Sequence, residues 1–181
     1  MSAQLSIPLR NSYALLPNDF YVKLYPEKMP NLQLIRLNKS LCKLLNFLAE
    51  DLETDSGVNF LGGLNISPNS EPLAQAYAGH QFGNFVDRLG DGRAILLGEV
   101  IGSDGITRDI QIKGSGRTPF SRMGDGRAAL GPVLREYIVS EAMAGFGIPT
   151  TRALAALLTG ETILREKPLP GALLTRVAKS H

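Results

Sequence analysis

The sequence predicts an α+β fold: a twisted antiparallel sheet with one long helix against it, preceded by an N-terminal extension. Three observations carry that reading. First, "AILLGEV" (94–100) and the alternating "RDIQIK" (108–113) flank Asp104-Gly105, a dipeptide suited to a hairpin turn. Second, "GPVLREYIVSEAMAGFGIP" (131–149) carries helix punctuation: Pro132 suits the first helical position, Gly147 the C-terminal stop, and Pro149 lies just beyond. Third, "TRALAALLTG" (151–160) and "GALLTRVA" (171–178) read as two more strands around a proline-containing turn at 168–170.

Taken in order, residues 1–31 hold Pro8, Pro17, Pro26 and Pro30 with little periodicity and read as an extended arm. Residues 33–53 read as strand into helix, with Leu41, Leu44, Leu45 and Leu48 at helical spacing and Asn38 or Ser40 as N-cap. A turn-rich stretch follows, with a short helix expected around Pro72–Ala78. In the strand 108–113, Ile110 and Ile112 share one face; Asp109, Gln111 and Lys113 share the other. In the helix after Gly131, Leu134, Ile138 and Ala142 form the apolar stripe, and Glu136 and Glu141 lie off it. This organisation divides the chain into an arm and helical extension over 1–78 and a sheet-bearing lobe over 79–181.

The 181 residues are 44% hydrophobic and 20% charged, enough to build a core. A net charge of +2 with dispersed basic residues gives no basis for nucleic-acid binding. Cys42 is the sole cysteine, which excludes an internal disulfide or a cysteine-rich zinc site, and reads as a buried helix residue. His80 and His181 are the only histidines, so histidine metal chemistry and a Ser-His-Asp triad are unsupported. The start of the chain has no secretory pattern. The longest apolar run, "ALAALL" at 153–158, is too short to cross a bilayer, and the expectation is a cytoplasmic protein without membrane partners.

The pentapeptide Gly-Asp-Gly-Arg-Ala occurs twice, at 90–94 and 124–128. The first copy leads into a strand and the second precedes a helix, so they are not a structural repeat. Each is either ordinary turn chemistry or a backbone nest for an anion reinforced by an arginine. Between and around them, 111–127 packs one lysine, three arginines and four glycines into 17 residues. Flexible backbone with fixed cations suits a polyphosphate. Neither a P-loop nor the dinucleotide fingerprint is present.

Protein kinases offer a precedent for the order: a glycine-rich loop before a hairpin, a lysine on the hairpin's far strand, and a glutamate on the next helix. Lys113 and Glu136, 23 residues apart, fit that order, and the fold expectation becomes a kinase-like N-lobe with an αC-like helix and no C-lobe. The alternative is that Lys113 and Glu136 are unrelated surface charges.

At "YAGHQFGNFVDRLGDGRAILLGE", "IQIKGSGRTPFSRMGDGRAAL" and "GIPTTRALA…TRVAKSH" the chain resembles the selenoprotein O family of protein adenylyltransferases, from about Tyr13 to the last residue. The resemblance implies transfer of AMP from ATP to Ser, Thr or Tyr hydroxyls of proteins, with Mg²⁺ or Mn²⁺. It implies nucleotide contacts at Gly90, Gly92, Arg93, Asp125 and Gly126, a phosphate-binding Lys113 with Glu136 as its partner, and a phosphate-binding Arg176. Gly131 stands where the family usually has arginine, and Lys179 where it usually has proline. The family's catalytic base and metal-binding Asn and Asp belong to a second lobe outside these residues, so the expectation is a fragment inactive alone. The alternatives are a non-catalytic ATP-binding or interaction module and a kinase-like phosphotransferase.

Overall fold

The computed structural model describes residues 7–66 and 70–181, which hold ten strands and four α-helices. The N-terminal segment makes two 3₁₀ turns and β1 (Tyr21–Lys23), followed by β2 (Gln33–Leu37), α1 (Lys39–Leu44), α2 (Ala49–Leu52) and α3 (Asp55–Leu61). Then come β3 (Leu73–Gln75), the hairpin β4 (Gly79–Gln81) and β5 (Asn84–Val86), β6 (Ala94–Ile101), β7 (Thr107–Lys113) and β8 (Ala128–Ala129). The chain closes with α4 (Leu130–Gly145), β9 (Arg152–Leu164) and β10 (Pro168–Ala178). One antiparallel sheet runs β1-β3-β6-β7-β10-β9-β2, with β8 alongside β10, and β4-β5 stand apart as a ribbon. The architecture is α+β, and residues before 79 supply two edge strands, β1 and β2, to the sheet.

The two faces of this sheet are covered differently. Leucines and isoleucines on one face, among them Ile95, Leu97, Ile110, Ile112 and Leu157, pack with Leu41, Leu52, Phe60 and Leu61 from α1–α3, and with Leu45 just after α1, into the main core. The other face is alanine-rich where α4 lies: Ala128, Ala153, Ala156 and Ala172 with Leu174 and Val133. Small side chains there let the helix backbone sit close to the sheet, which brings its polar groups within reach of strand residues.

The expected hairpin is present as β6 and β7, turning through Gly102–Ile106. Asn38, rather than Ser40, caps α1 by accepting from the Leu41 N–H at 3.1 Å. That helix is shorter than its leucine spacing suggests. Asn46 takes a left-handed φ of 60° and breaks it, leaving Leu48 exposed before α2 begins. The helix expected around Pro72–Ala78 is instead the strand β3, because pairing with β1 on one edge and β6 on the other satisfies its backbone. The closing turn lies at 165–167, so Pro168 and Pro170 stand inside β10, with a bulge between Pro170 and Ala172.

Helix α4 ends as its glycine predicts. Gly147 takes φ 76° and donates to Ala144, while Ile148 donates to Met143, a Schellman arrangement. Its orientation overturns the stripe. Ile138 is 65% exposed and Ala142 is exposed, while Val133 is the one residue of the helix that is fully buried. Glu136 and Glu141 point to the sheet and find cations there, and those ionic anchors outweigh the modest apolar face. Pro132 sits at the third helical position, still within the turn that needs no N–H partner.

Leu157 is fully buried where β9 meets both β10 and β2. Leu157→Ala is expected to lower unfolding free energy by about 2–5 kcal/mol, measured by urea titration. A loss under half that would show that the main core is not centred on this strand.

Candidate functional site

The two Gly-Asp-Gly-Arg loops meet. Gly90, Gly92 and Arg93 from the first, and Gly124, Asp125 and Gly126 from the second, line one cleft of about 550 Å³. The segment between Lys113 and the second loop locks them together. Thr118 donates its hydroxyl to the Asp91 carbonyl at 2.7 Å, and Ser121 donates to the Gly92 carbonyl at 2.6 Å. Phe120, buried, packs so tightly under Gly90 that a Cβ there would lie 2.4 Å from its ring. Gly126, with φ 67°, passes over Gly116, where a Cβ would lie 1.8 Å from the carbonyl oxygen. The glycines thus serve the approach of one loop to another. The resulting cleft has polar walls with Arg93, Arg122 and Arg165 among its lining, while the Gly90, Asp91, Gly92 and Gly124 N–H groups already donate to protein carbonyls.

The arginines around it differ in their freedom. Arg93 is exposed, and its guanidinium has no partner among the described residues. Arg165 pairs with both Asp125 oxygens at 2.7 and 2.9 Å, which holds the Asp125 carboxyl below the usual range. Arg122, in left-handed conformation, donates to Gln81 of the β4-β5 ribbon at 2.9 Å.

A second cluster sits on the sheet face beneath α4. Lys113, at the end of β7, donates to Glu136 Oε2 at 2.6 Å, and both side chains are about 30% exposed. Arg176, opposite Gln111 in the β7-β10 register, donates to the other oxygen, Glu136 Oε1, at 3.3 Å. One carboxylate therefore orients a point charge and a planar fork at once. The two clusters are joined through backbone: Gly114, the residue after Lys113, donates to the Arg93 carbonyl at 2.7 Å.

Lys113, Glu136 and Arg176 come together, and Gly90, Gly92, Arg93, Asp125 and Gly126 come together, but Lys113 does not line the cleft. Sequence reasoning passed over Asp91, Tyr77, Gln111, Thr118 and Ser121. Asp91 is buried and accepts from the Gln75 N–H at 3.1 Å, the Tyr77 hydroxyl at 3.1 Å and Gln111 Nε2 at 3.2 Å. Burial pushes its carboxyl up, and burial followed by the Asp91 charge pushes the Tyr77 phenol up to about 12. The signal for Gln111 was present, since it shares one strand face with Lys113.

Among the described residues no group of three or more His, Cys, Asp or Glu side chains is arranged to hold a metal ion. Both oxygens of Asp91 and both of Asp125 are already engaged by protein donors. These residues do not fit a metal.

Helix α4 is held in place by a further carboxylate. Burial raises the Glu141 pKa, but Arg152, the Ala153 N–H and Asn38 more than offset this and hold it below the usual value.

A family model described as protein adenylyltransferase SelO matches residues 4–181. Proteins named protein nucleotidyltransferase YdiU are similar: that of Rhodopseudomonas palustris strain HaA2 is 60% identical and that of Methylorubrum populi 61%, each over 174 residues. Both alignments cover 96% of this chain and 35% of the relative, so the chain spans about a third of the length of the curated relatives it matches.

Gly126→Ala is expected to cost about 2 kcal/mol or more, from backbone strain plus the clash with Gly116. An unchanged denaturant midpoint would show that the loops do not close on each other. Glu141→Gln is expected to cost about 1–3 kcal/mol at pH 7. Glu141 titrates lower when folded than its unfolded value of about 4.3, so its contribution is complete above that pH. It is lost as pH falls through the folded value, and the gap between variant and parent should close. A gap that stays constant from pH 7 to pH 3 would contradict this.

Proposed function

We propose that this chain, which belongs to the protein adenylyltransferase SelO family, is the nucleotide-holding part of an enzyme that moves AMP from ATP to Ser, Thr or Tyr hydroxyls of proteins. The observation that carries the reading is the ion-paired set Lys113–Glu136–Arg176, tied through Gly114 and Arg93 to a cleft walled by both Gly-Asp-Gly-Arg loops. An antiparallel sheet whose lysine is held by a glutamate on the adjoining helix is the arrangement of a kinase-like N-lobe.

Each part has a task in that chemistry. Lys113 supplies a point charge and Arg176 a two-donor fork for phosphate oxygens, and Glu136 keeps both extended. Arg93 lines the cleft and has no partner among the described residues. The Gly90, Gly92 and Gly124 N–H groups already donate to protein carbonyls, so the glycine loops act as a shaped wall for the ligand and the cations supply the charge. In the transfer, a protein hydroxyl oxygen forms a bond to the α-phosphorus and the α–β bridging bond breaks. Pyrophosphate leaves with the electron pair, and the hydroxyl proton goes to a base. On this reading the base and the ligands of the metal would come from the further length seen in the relatives.

Calorimetry of the 181-residue chain with ATP is expected to show binding that Lys113→Ala weakens at least tenfold, or about 1.4 kcal/mol. Equal affinity in the variant would remove Lys113 from the site. Joined to the length its relatives carry, the protein is expected to label protein targets from α-labelled ATP and not from γ-labelled ATP. The reverse pattern would make it a phosphotransferase.

A further inference from the structure

Between the first Gly-Asp-Gly-Arg loop and the ion-paired set lies a side chain that touches both. Gln111 is fully buried on β7, on the same strand face as Lys113 and opposite Arg176. Its two amide ends are both used: Nε2 donates to Asp91 Oδ2 at 3.2 Å, and Oε1 accepts from Arg176 Nη2. The amide orientation follows from its neighbours, because an ionised carboxylate can only accept and a guanidinium can only donate. A carboxylate at this position would face Asp91, and an apolar residue would leave buried donors and acceptors without partners.

The contacts form one unbroken path. It runs from Asp91 in the first Gly-Asp-Gly-Arg loop to Gln111, to Arg176, to Glu136 and to Lys113. Its four charged members alternate in sign, two negative and two positive. Each group restricts the next, with Arg176 Nε the one atom of the path that is buried without a partner among the described residues. The Asp91 end is itself fixed by Tyr77 and by the Gln75 backbone.

We propose that Gln111 is a positioning residue that couples the first Gly-Asp-Gly-Arg loop to the Arg176–Glu136–Lys113 set. It holds the Arg176 fork at one distance from the loop, so a displacement of the loop is carried to Arg176 and from there to the carboxylate that orients Lys113. The functional consequence rests on the nucleotide-site reading: seating a ligand in the loop sets the cations that meet its phosphates.

The test is a double-variant cycle on the 181-residue chain, with Asp91→Asn and Glu136→Gln combined and the folding equilibrium measured by urea titration. With Gln111 in place, the two effects on the equilibrium constant are expected to depart from their product by at least threefold. In the Gln111→Met background the departure should vanish. Additive effects with Gln111 present, or coupling that survives its replacement, would overturn the proposal. If Gln111→Met fails to fold, the side-chain N–H resonances of Arg176 decide instead. They should shift on Asp91→Asn with Gln111 present, and unshifted resonances would overturn it. Loss of packing alone moves stability but does not create coupling between separated charges. Neither measurement contains nucleotide, so a chain that fails to bind ATP leaves this result standing, and the converse also holds.

Discussion

A single carboxylate, Glu136, receives Lys113 on one oxygen and Arg176 on the other, and most of the local architecture is arranged around that shared contact. Lys113 belongs to β7 and Arg176 to β10, which are neighbours in the sheet, while Glu136 comes from a helix that crosses the strands beyond them. For the carboxylate to reach both cations the helix has to lie close, and the alanines of β8, β9 and β10 supply the room. It also has to lie with its glutamates inward. The cost of leaving charges unpaired beside the sheet exceeds what burying Ile138 and Ala142 would return, so the helix presents those residues outward. Glu141 fixes the same rotation one turn later by gripping Arg152 and Asn38.

The glycine loops obey a different constraint, close packing of backbone on backbone. Phe120 under Gly90 and Gly116 under Gly126 leave no space for a Cβ, while Thr118 and Ser121 tie down the carbonyls of the first loop. The two copies of one pentapeptide do unequal work within the shared cleft. In the first, aspartate is buried as a structural post and arginine has no partner among the described residues. In the second, the aspartate is held by Arg165, and Arg127 is drawn into pairs with Glu27 and Glu161. The same residue types, placed on differently paired backbone, yield one exposed cation and one consumed one.

Much of this was legible in the residues. The hairpin, the long helix, its glycine stop and the two closing strands all follow from local turn and capping chemistry, which acts within a few residues. Order along the chain offered the pairing of Lys113 with Glu136 as one of two readings, and the ion pair decides between them. The misreadings share a cause in long-range contacts. β3 looked helical because its three residues become a strand only between β1 and β6, which come from distant parts of the chain. The α4 stripe misled because its few apolar residues gave no count of the cations waiting on the sheet. Gln111 was legible as sharing the Lys113 face, but its role and that of Asp91 stayed unseen because a buried amide and a turn aspartate acquire meaning only through the partners that folding brings.

The central claim is that two glycine loops and one ion-paired set form a single site for a phosphorylated ligand. Backbone and side-chain ¹⁵N spectra of the chain, recorded as a non-hydrolysable ATP analogue is added, test it most directly. The account predicts saturable shifts that follow one binding curve at Gly90, Gly92, Gly124 and Gly126 together with the side chains of Lys113 and Arg176. Shifts confined to one of the two clusters, or following two separate curves, would contradict it.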